Sequence, residues 1–156
     1  MDLVAKAKDI INSSLYLSLS TTFKDSPWST PLWYSVDKDY TFYFISDKNS
    51  LHCKNINNNP KVAFCIFNST SIPDEVFGLQ IYAVCKKIEA KEIPWALKCI
   101  FAKAGSQTFK EYINNWALPS TYTKLSSYRI YKITPTKIYI NDPEADDAPR
   151  IKININ

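Results

Sequence analysis

Glycine is nearly absent from this 156-residue chain, which has only Gly78 and Gly105. No glycine-rich phosphate loop can be built from two isolated glycines, which excludes both a dinucleotide fingerprint and a Walker motif. Histidine is scarcer still. His52 stands alone, so no site built on several histidines is possible and any catalytic triad must use that one residue. A triad of His52, Ser50 and Asp47 is not expected, because a serine at a helix cap is not a strained nucleophile elbow. Arginine is limited to Arg129 and Arg150 against 17 lysines. No basic stripe or block accompanies the net charge of +4, so a nucleic-acid partner is not expected.

Long apolar runs are missing as well, and with them any expected membrane span. The first eight residues lack the apolar core of a signal peptide, which gives a cytoplasmic expectation. Cys53, Cys65, Cys85 and Cys99 lie far apart and form no CxxC pair, so they are expected to be reduced small hydrophobes rather than zinc ligands.

What is present is apolar and aromatic. Apolar residues make up 46% of the chain, enough for a core in one domain spanning residues 1–156, and aromatics make up 14%. Asp2 can cap a first helix whose Val4, Ala7 and Ile11 recur at helical spacing. Leu15, Leu17 and Leu19 then alternate with polar residues as in a half-buried strand. Residues 21–27 are polar and predict a hairpin turn. A second strand is expected over 28–36, with Pro31 at an edge or a break, and a third over 41–46, the three forming a meander.

Ser50 is a candidate N-cap for a helix over 51–58, which Asn59-Pro60 would stop. Residues 62–67 are nearly continuously apolar, which predicts a strand buried on both faces. A fifth strand follows over 78–88. Pro94 opens a helix that ends near Gly105, and a second begins near Gln107 and ends at Pro119. On these helices Trp95 and Trp116 fall on apolar faces and are expected in the core. Strands over 127–133 and 137–140, joined by Thr134-Pro135-Thr136, precede an exposed acidic segment at 142–147 and a terminal strand at 150–155. Antiparallel hairpins with helices inserted between them imply a mainly β fold, a small β-barrel with peripheral helices.

The order of several segments resembles a known family. They are Trp28-Ser29-Thr30-Pro31-Leu32-Trp33-Tyr34, then Tyr43-Phe44-Ile45-Ser46, Ser50 opening a helix, and Asn59-Pro60-Lys61-Val62. Gly78-Leu79-Gln80-Ile81, the run from Tyr128 to Pro135, and Asn141-Asp142-Pro143 continue the set. This order resembles the pyridoxamine 5′-phosphate oxidase-like proteins, the FMN-binding split β-barrels, over residue 15 to the end.

The resemblance implies a six- to seven-stranded antiparallel split barrel and a homodimer with FMN at the subunit interface. It also implies an oxidoreductase acting on a small-molecule substrate, with an electron donor such as NAD(P)H. A deazaflavin in place of FMN, or a non-catalytic flavin, deazaflavin or haem carrier on the same barrel, is the alternative. By the same resemblance the flavin ring falls beside Ser29, Thr30, Pro31, Leu32 and Trp33, then Ile45 and Ser46. Gln80 is a further candidate at the flavin edge. The phosphate falls on Asn49, Ser50, Leu51 and His52. The family commonly places a basic pair after that serine, where this chain has Leu51-His52. His52 is thus either a phosphate ligand or an exposed histidine in a first helical turn. Trp33 either stacks on the ring or packs in the core. Arg129 either pairs with a carboxylate or reaches a ligand of the partner subunit.

Overall fold

The computed structural model describes residues 2–72, 76–103, 127–143 and 150–155. Helix α1 (Leu3–Ser13) is capped by Asp2, whose Oδ1 accepts from the Val4 and Ala5 amides. It buries Ala7, Ile10 and Ile11, the face that its helical spacing marks out. Strands β1 (Tyr16–Phe23) and β2 (Ser26–Trp33) follow as an antiparallel hairpin. The hairpin turn expected over 21–27 is present but shorter. Only Lys24 and Asp25 turn, both with positive φ (49° and 59°), as a two-residue type I′ connection requires. Its twist matches that of the strands, so both strands run on to the turn.

The expected strand over 28–36 breaks at Tyr34. Strand β3 (Ser35–Val36) pairs instead with β4 (Phe42–Asp47). The strand order is β2-β1-β5-β6-β7-β4-β3, so β2 and β3 are opposite edges of one antiparallel sheet. The three strands expected as a meander are therefore two hairpins at opposite ends of the order. Trp33 and Ser35 are separated only by Tyr34, and two edges that close in the chain can belong to one sheet only if it curls round on itself. Tyr34 is fully buried at this seam, and its hydroxyl donates to the Ile11 carbonyl at 2.6 Å. Pro27 and Pro31 lie on edge strand β2, where a missing N–H removes no ladder bond.

Helix α2 (Leu51–Asn58) leads into β5 (Lys61–Phe67) and β6 (Gly78–Lys87). Strand β5 alternates, with Val62, Phe64 and Ile66 buried and Ala63 and Cys65 only half-buried. The apolar run thus misled, because Ala and Cys are small enough to sit on an outer face. A 3₁₀ turn (Ala90–Glu92) and α3 (Ile93–Lys103) come next. On α3 the buried residues are Ala96 and Ile100, while Trp95 lies 44% exposed at the surface rather than in the core. The second helix expected near Gln107, with Trp116, lies outside the described residues.

The two strands expected over 127–140 are one, β7 (Tyr128–Asn141). Thr136 is the extra residue of a bulge, since Tyr82 pairs with Lys137 and Ala83 with Pro135. A bulge lets a proline sit in a continuous strand and bends it. Strand β7 pairs with β6 along one edge, and with β4 and then β8 (Arg150–Ile153) along the other. The main core fills the inside of the curl, with Phe42, Phe44, Phe64, Ile81, Tyr131 and Ile133 among its buried residues. A second apolar cluster of Tyr43, Ile88, Ala96 and Ile100 lies on the outside of β4, beneath α3. The fold is mainly β, an antiparallel curled sheet with helices at its periphery.

Candidate functional site

Side chains alternate along β4, and that alternation divides the predicted site. Phe42, Phe44 and Ser46 point into the curl, while Tyr43 and Ile45 point outward under α3. Ile45 and Trp33 each pack against the outer cluster, so the structure brings these two ring-side candidates to one apolar surface. Ser29 and Pro31 are exposed, Thr30 and Leu32 half-buried, and the Ser29 hydroxyl lies 3.0 Å from that of Ser18. Strand β2 thus presents a solvent-facing edge that leads up to Trp33.

The phosphate-side candidates meet where β4 turns into α2. Asp47 shapes the turn. Its Oδ1 accepts from the Asn49 amide at 2.8 Å and its Oδ2 from the Ser127 hydroxyl at 2.9 Å. These bonds, the Asn49 amide first, hold its carboxyl below the usual carboxylate range. Ser50 is the N-cap residue, yet its side chain does not cap. The hydroxyl donates back to the Asp47 carbonyl at 2.7 Å, so it does not satisfy the amides of the first turn. Those amides carry the positive end of the helix dipole and have no intrahelical acceptor. Leu51 is exposed at this end.

His52 points inward. It is 7% exposed, packs against Phe44 with ring centroids 6.2 Å apart, and has Nε2 at 2.7 Å from Ser46 Oγ and 3.1 Å from Ser50 Oγ. The Ser50 hydroxyl already donates to the Asp47 carbonyl, so toward Nε2 it stands as an acceptor. Burial holds the imidazole below its ordinary pKa, which favours the neutral ring. Neither an exposed first-turn histidine nor a cation directed at solvent matches this geometry.

Arg129 joins the group through the sheet register. It lies directly opposite Ser46 on β7, and directly opposed residues share a face. Arg129 is half-buried, with Nη1 donating to the Tyr128 carbonyl at 2.7 Å. A guanidinium has five N–H donors in a fork suited to carboxylate or phosphate. The sequence offered no means of pairing residue 129 with residue 46, because that pairing exists only once β7 lies against β4.

Gln80 stands apart. Its β7 partner is Tyr139, ten residues along from Arg129, a separation of about 33 Å at strand rise. No single small ligand reaches both ends within one chain. The Gln80 Oε1 atom is buried and has no hydrogen-bond partner among the described residues. It lies on the outer face of the sheet in a row with Ser18 and Cys65. Around that row Tyr16, Phe67, Tyr82 and Val84 are exposed. All four cysteines are free, no cluster of metal-ligating side chains occurs among the described residues, and no described helix is long and apolar enough to cross a membrane.

The family model of pyridoxamine 5′-phosphate oxidase matches residues 3–142, nearly the whole chain. The chain belongs to this family. No curated protein matches it in sequence. Among solved structures, a protein of unknown function from Agrobacterium tumefaciens superposes with a TM-score of 0.72 at 18% identity. That match covers 97% of this chain but only 61% of the other. The haem storage protein HutZ of Vibrio cholerae gives 0.69 at 16% identity, covering 90% of this chain and 95% of that one. General stress protein 26 of Bacillus anthracis gives 0.62 at 21%, covering 98% and 100%. Identities this low establish the fold these proteins share with this family member, a split barrel, and nothing about its ligand.

Proposed function

We propose that this family member binds FMN non-covalently, with the phosphate at the start of α2 and the ring along β2 and β4. The observation that carries the reading is the register that sets Arg129 beside Ser46, at the first turn of α2. That arrangement supplies the cation absent from the Leu51-His52 positions. The unsatisfied first-turn amides of α2 add an anion site that needs no glycine. Asn49 and Leu51 flank this end, Trp33 and Ile45 offer apolar surface for a ring, and Ser29 to Leu32 line the approach. His52 is a positioning residue in this reading, holding Ser46 and Ser50 in place from below.

When bound, the flavin supplies hydride or electron transfer, and the chain contributes position and electrostatics. The function proposed is therefore that of a flavin-dependent oxidoreductase using a donor such as NAD(P)H on a small substrate. A second copy of the chain is proposed to cover the outer face of β1, β5 and β6. There the exposed Tyr16, Phe67, Tyr82 and Val84 surround the Ser18–Cys65–Gln80 row, and Gln80 Oε1 has no partner among the described residues. Gln80 then serves a ligand only across the interface.

A haem carrier on the same barrel is the competing reading, since HutZ is named for haem storage. It fares worse here, because the only imidazole of the chain is buried against Ser46 and Ser50 and would have to abandon both to ligate iron.

The test is direct. The purified protein is examined for a flavin absorption spectrum, any released ligand is identified by mass spectrometry, and the molecular mass in solution is measured. FMN and a dimer are expected, and Arg129→Gln should weaken FMN by roughly tenfold to a hundredfold, the value of one charge-assisted bond to phosphate. Colourless protein that also fails to take up added FMN overturns the reading. A released deazaflavin redirects it, and a Soret band replaces it with the haem carrier. Oxidation of NADH or NADPH by the loaded protein then separates enzyme from carrier.

A further inference from the structure

A cleft of about 410 Å³ opens between the end of α1, the end of β3 and α3. It lies at the Phe42 end of β4, while the start of α2 follows the Asp47 end, about 17 Å away at strand rise. The cleft is thus remote from the proposed phosphate position, while Cys99 in its wall packs against the same outer cluster as Trp33 and Ile45.

Its walls are mostly apolar, formed by Val36, Cys99, Ala102 and the half-exposed indole of Trp95. Its charged groups are Asp37, Lys38, Lys98 and Lys103. Asp37 is satisfied internally. Its carboxylate accepts from the Asp39 and Thr41 amides, the Tyr43 hydroxyl and, at 3.4 Å, Trp95 Nε1. Four donors fill the hydrogen-bonding capacity of its carboxylate. Lys38 and Lys98 stand at the rim, and Lys98 lies over the Trp95 ring.

Lys103 is different. Its Nζ donates to the Ser14 carbonyl at 2.7 Å and sits 3.5 Å from the centre of the buried Tyr34 ring. An ammonium has three donors. One goes to Ser14 and one faces the ring, which leaves the third for the cleft. Burial pulls its pKa down to about 8.

We propose that this cleft is a second ligand site that takes a small planar aromatic carboxylate, with its carboxylate on Lys103 and its ring beside Trp95. A single desolvated donor between apolar walls suits a carboxylate rather than a phosphate dianion, which needs more donors. The lysines at the rim exclude cations and favour entry of an anion.

Calorimetric titration with 2-naphthoate and its uncharged match 2-naphthamide tests the site. The expected result is at least tenfold tighter binding of 2-naphthoate than of 2-naphthamide. Lys103→Met should remove that preference while 2-naphthamide still binds, and Trp95→Ala should weaken both probes. Should Lys103→Met fail to fold, Ala102→Phe fills the cleft from its exposed rim and should abolish binding of both. Equal binding of the two probes, no binding of either, or a preference that survives Lys103→Met or Ala102→Phe overturns the proposal.

Discussion

His52 is the one residue whose protonation separates an internal imidazole from a phosphate ligand, and the chain makes it simple to watch. A protein with one histidine gives one imidazole Hε1 resonance, so its titration by proton NMR needs no assignment strategy. The structure expects a folded-state pKa below the ordinary 6.5, because burial against Phe44, Ser46 and Ser50 disfavours the cation. The sign for stability follows. Above about pH 6.5 both folded and unfolded chains carry a neutral ring. As the pH falls below that value the unfolded chain takes up the proton first, and stability declines until the folded-state pKa is reached. The slope approaches about 1.4 kcal/mol per pH unit, and the total is that amount for each unit by which burial depresses the pKa. Urea unfolding at several pH values between 7.5 and 5 should show this decline in the wild type and its absence in His52→Gln, which keeps a polar side chain but does not titrate. Asp47 and Glu92 are held below their ordinary values, so their contributions fall away at lower pH and are common to both proteins. A folded pKa above 6.5, or equal slopes in the two proteins, refutes the internal role and returns His52 to the phosphate.

Three other outcomes follow from the same geometry. Leu51 is the exposed member of the Leu51-His52 pair, so Leu51→Arg should tighten FMN about tenfold in a fluorescence titration, whereas His52→Lys, which buries an ammonium, should lower the unfolding midpoint. Asp25→Gly should raise stability by about 1 kcal/mol in chemical denaturation, because a left-handed conformation costs an ordinary residue about that much and glycine little. Tyr34→Phe should cost about 1–3 kcal/mol in the same assay, since it leaves the Ile11 carbonyl without its donor at the seam of the barrel.

Much of the fold was legible because local signals agreed with the final state. Asp2 capped the first helix as its position implied, and Pro31 lay on an edge strand. The family likeness rested on ordered segments from Trp28 to Pro143, and the family model matches residues 3–142. The errors share a physical cause. The hairpin turn at 21–27 was placed correctly but drawn too long, because the ends of an exposed edge hairpin are also polar and only backbone dihedrals reveal a two-residue turn. Thr134-Pro135-Thr136 resembled a break because a bulge and a turn use the same residues. Trp95 sat at helical spacing with apolar neighbours, yet the face it shares with Lys98 is turned toward solvent.

The scarcity of glycine and histidine determined by itself that no phosphate site could be a glycine-rich loop, and that one imidazole would carry whatever a histidine does here. Composition and periodicity likewise determined a mainly β domain. Only the tertiary structure decided which way His52 faces, because a helix presents four directions and packing against Phe44 selects one. Only the sheet register placed Arg129 beside Ser46, joining residues 83 positions apart that no local signal connects. Side-chain chemistry is written locally, but the company each side chain keeps is set by which strands lie side by side.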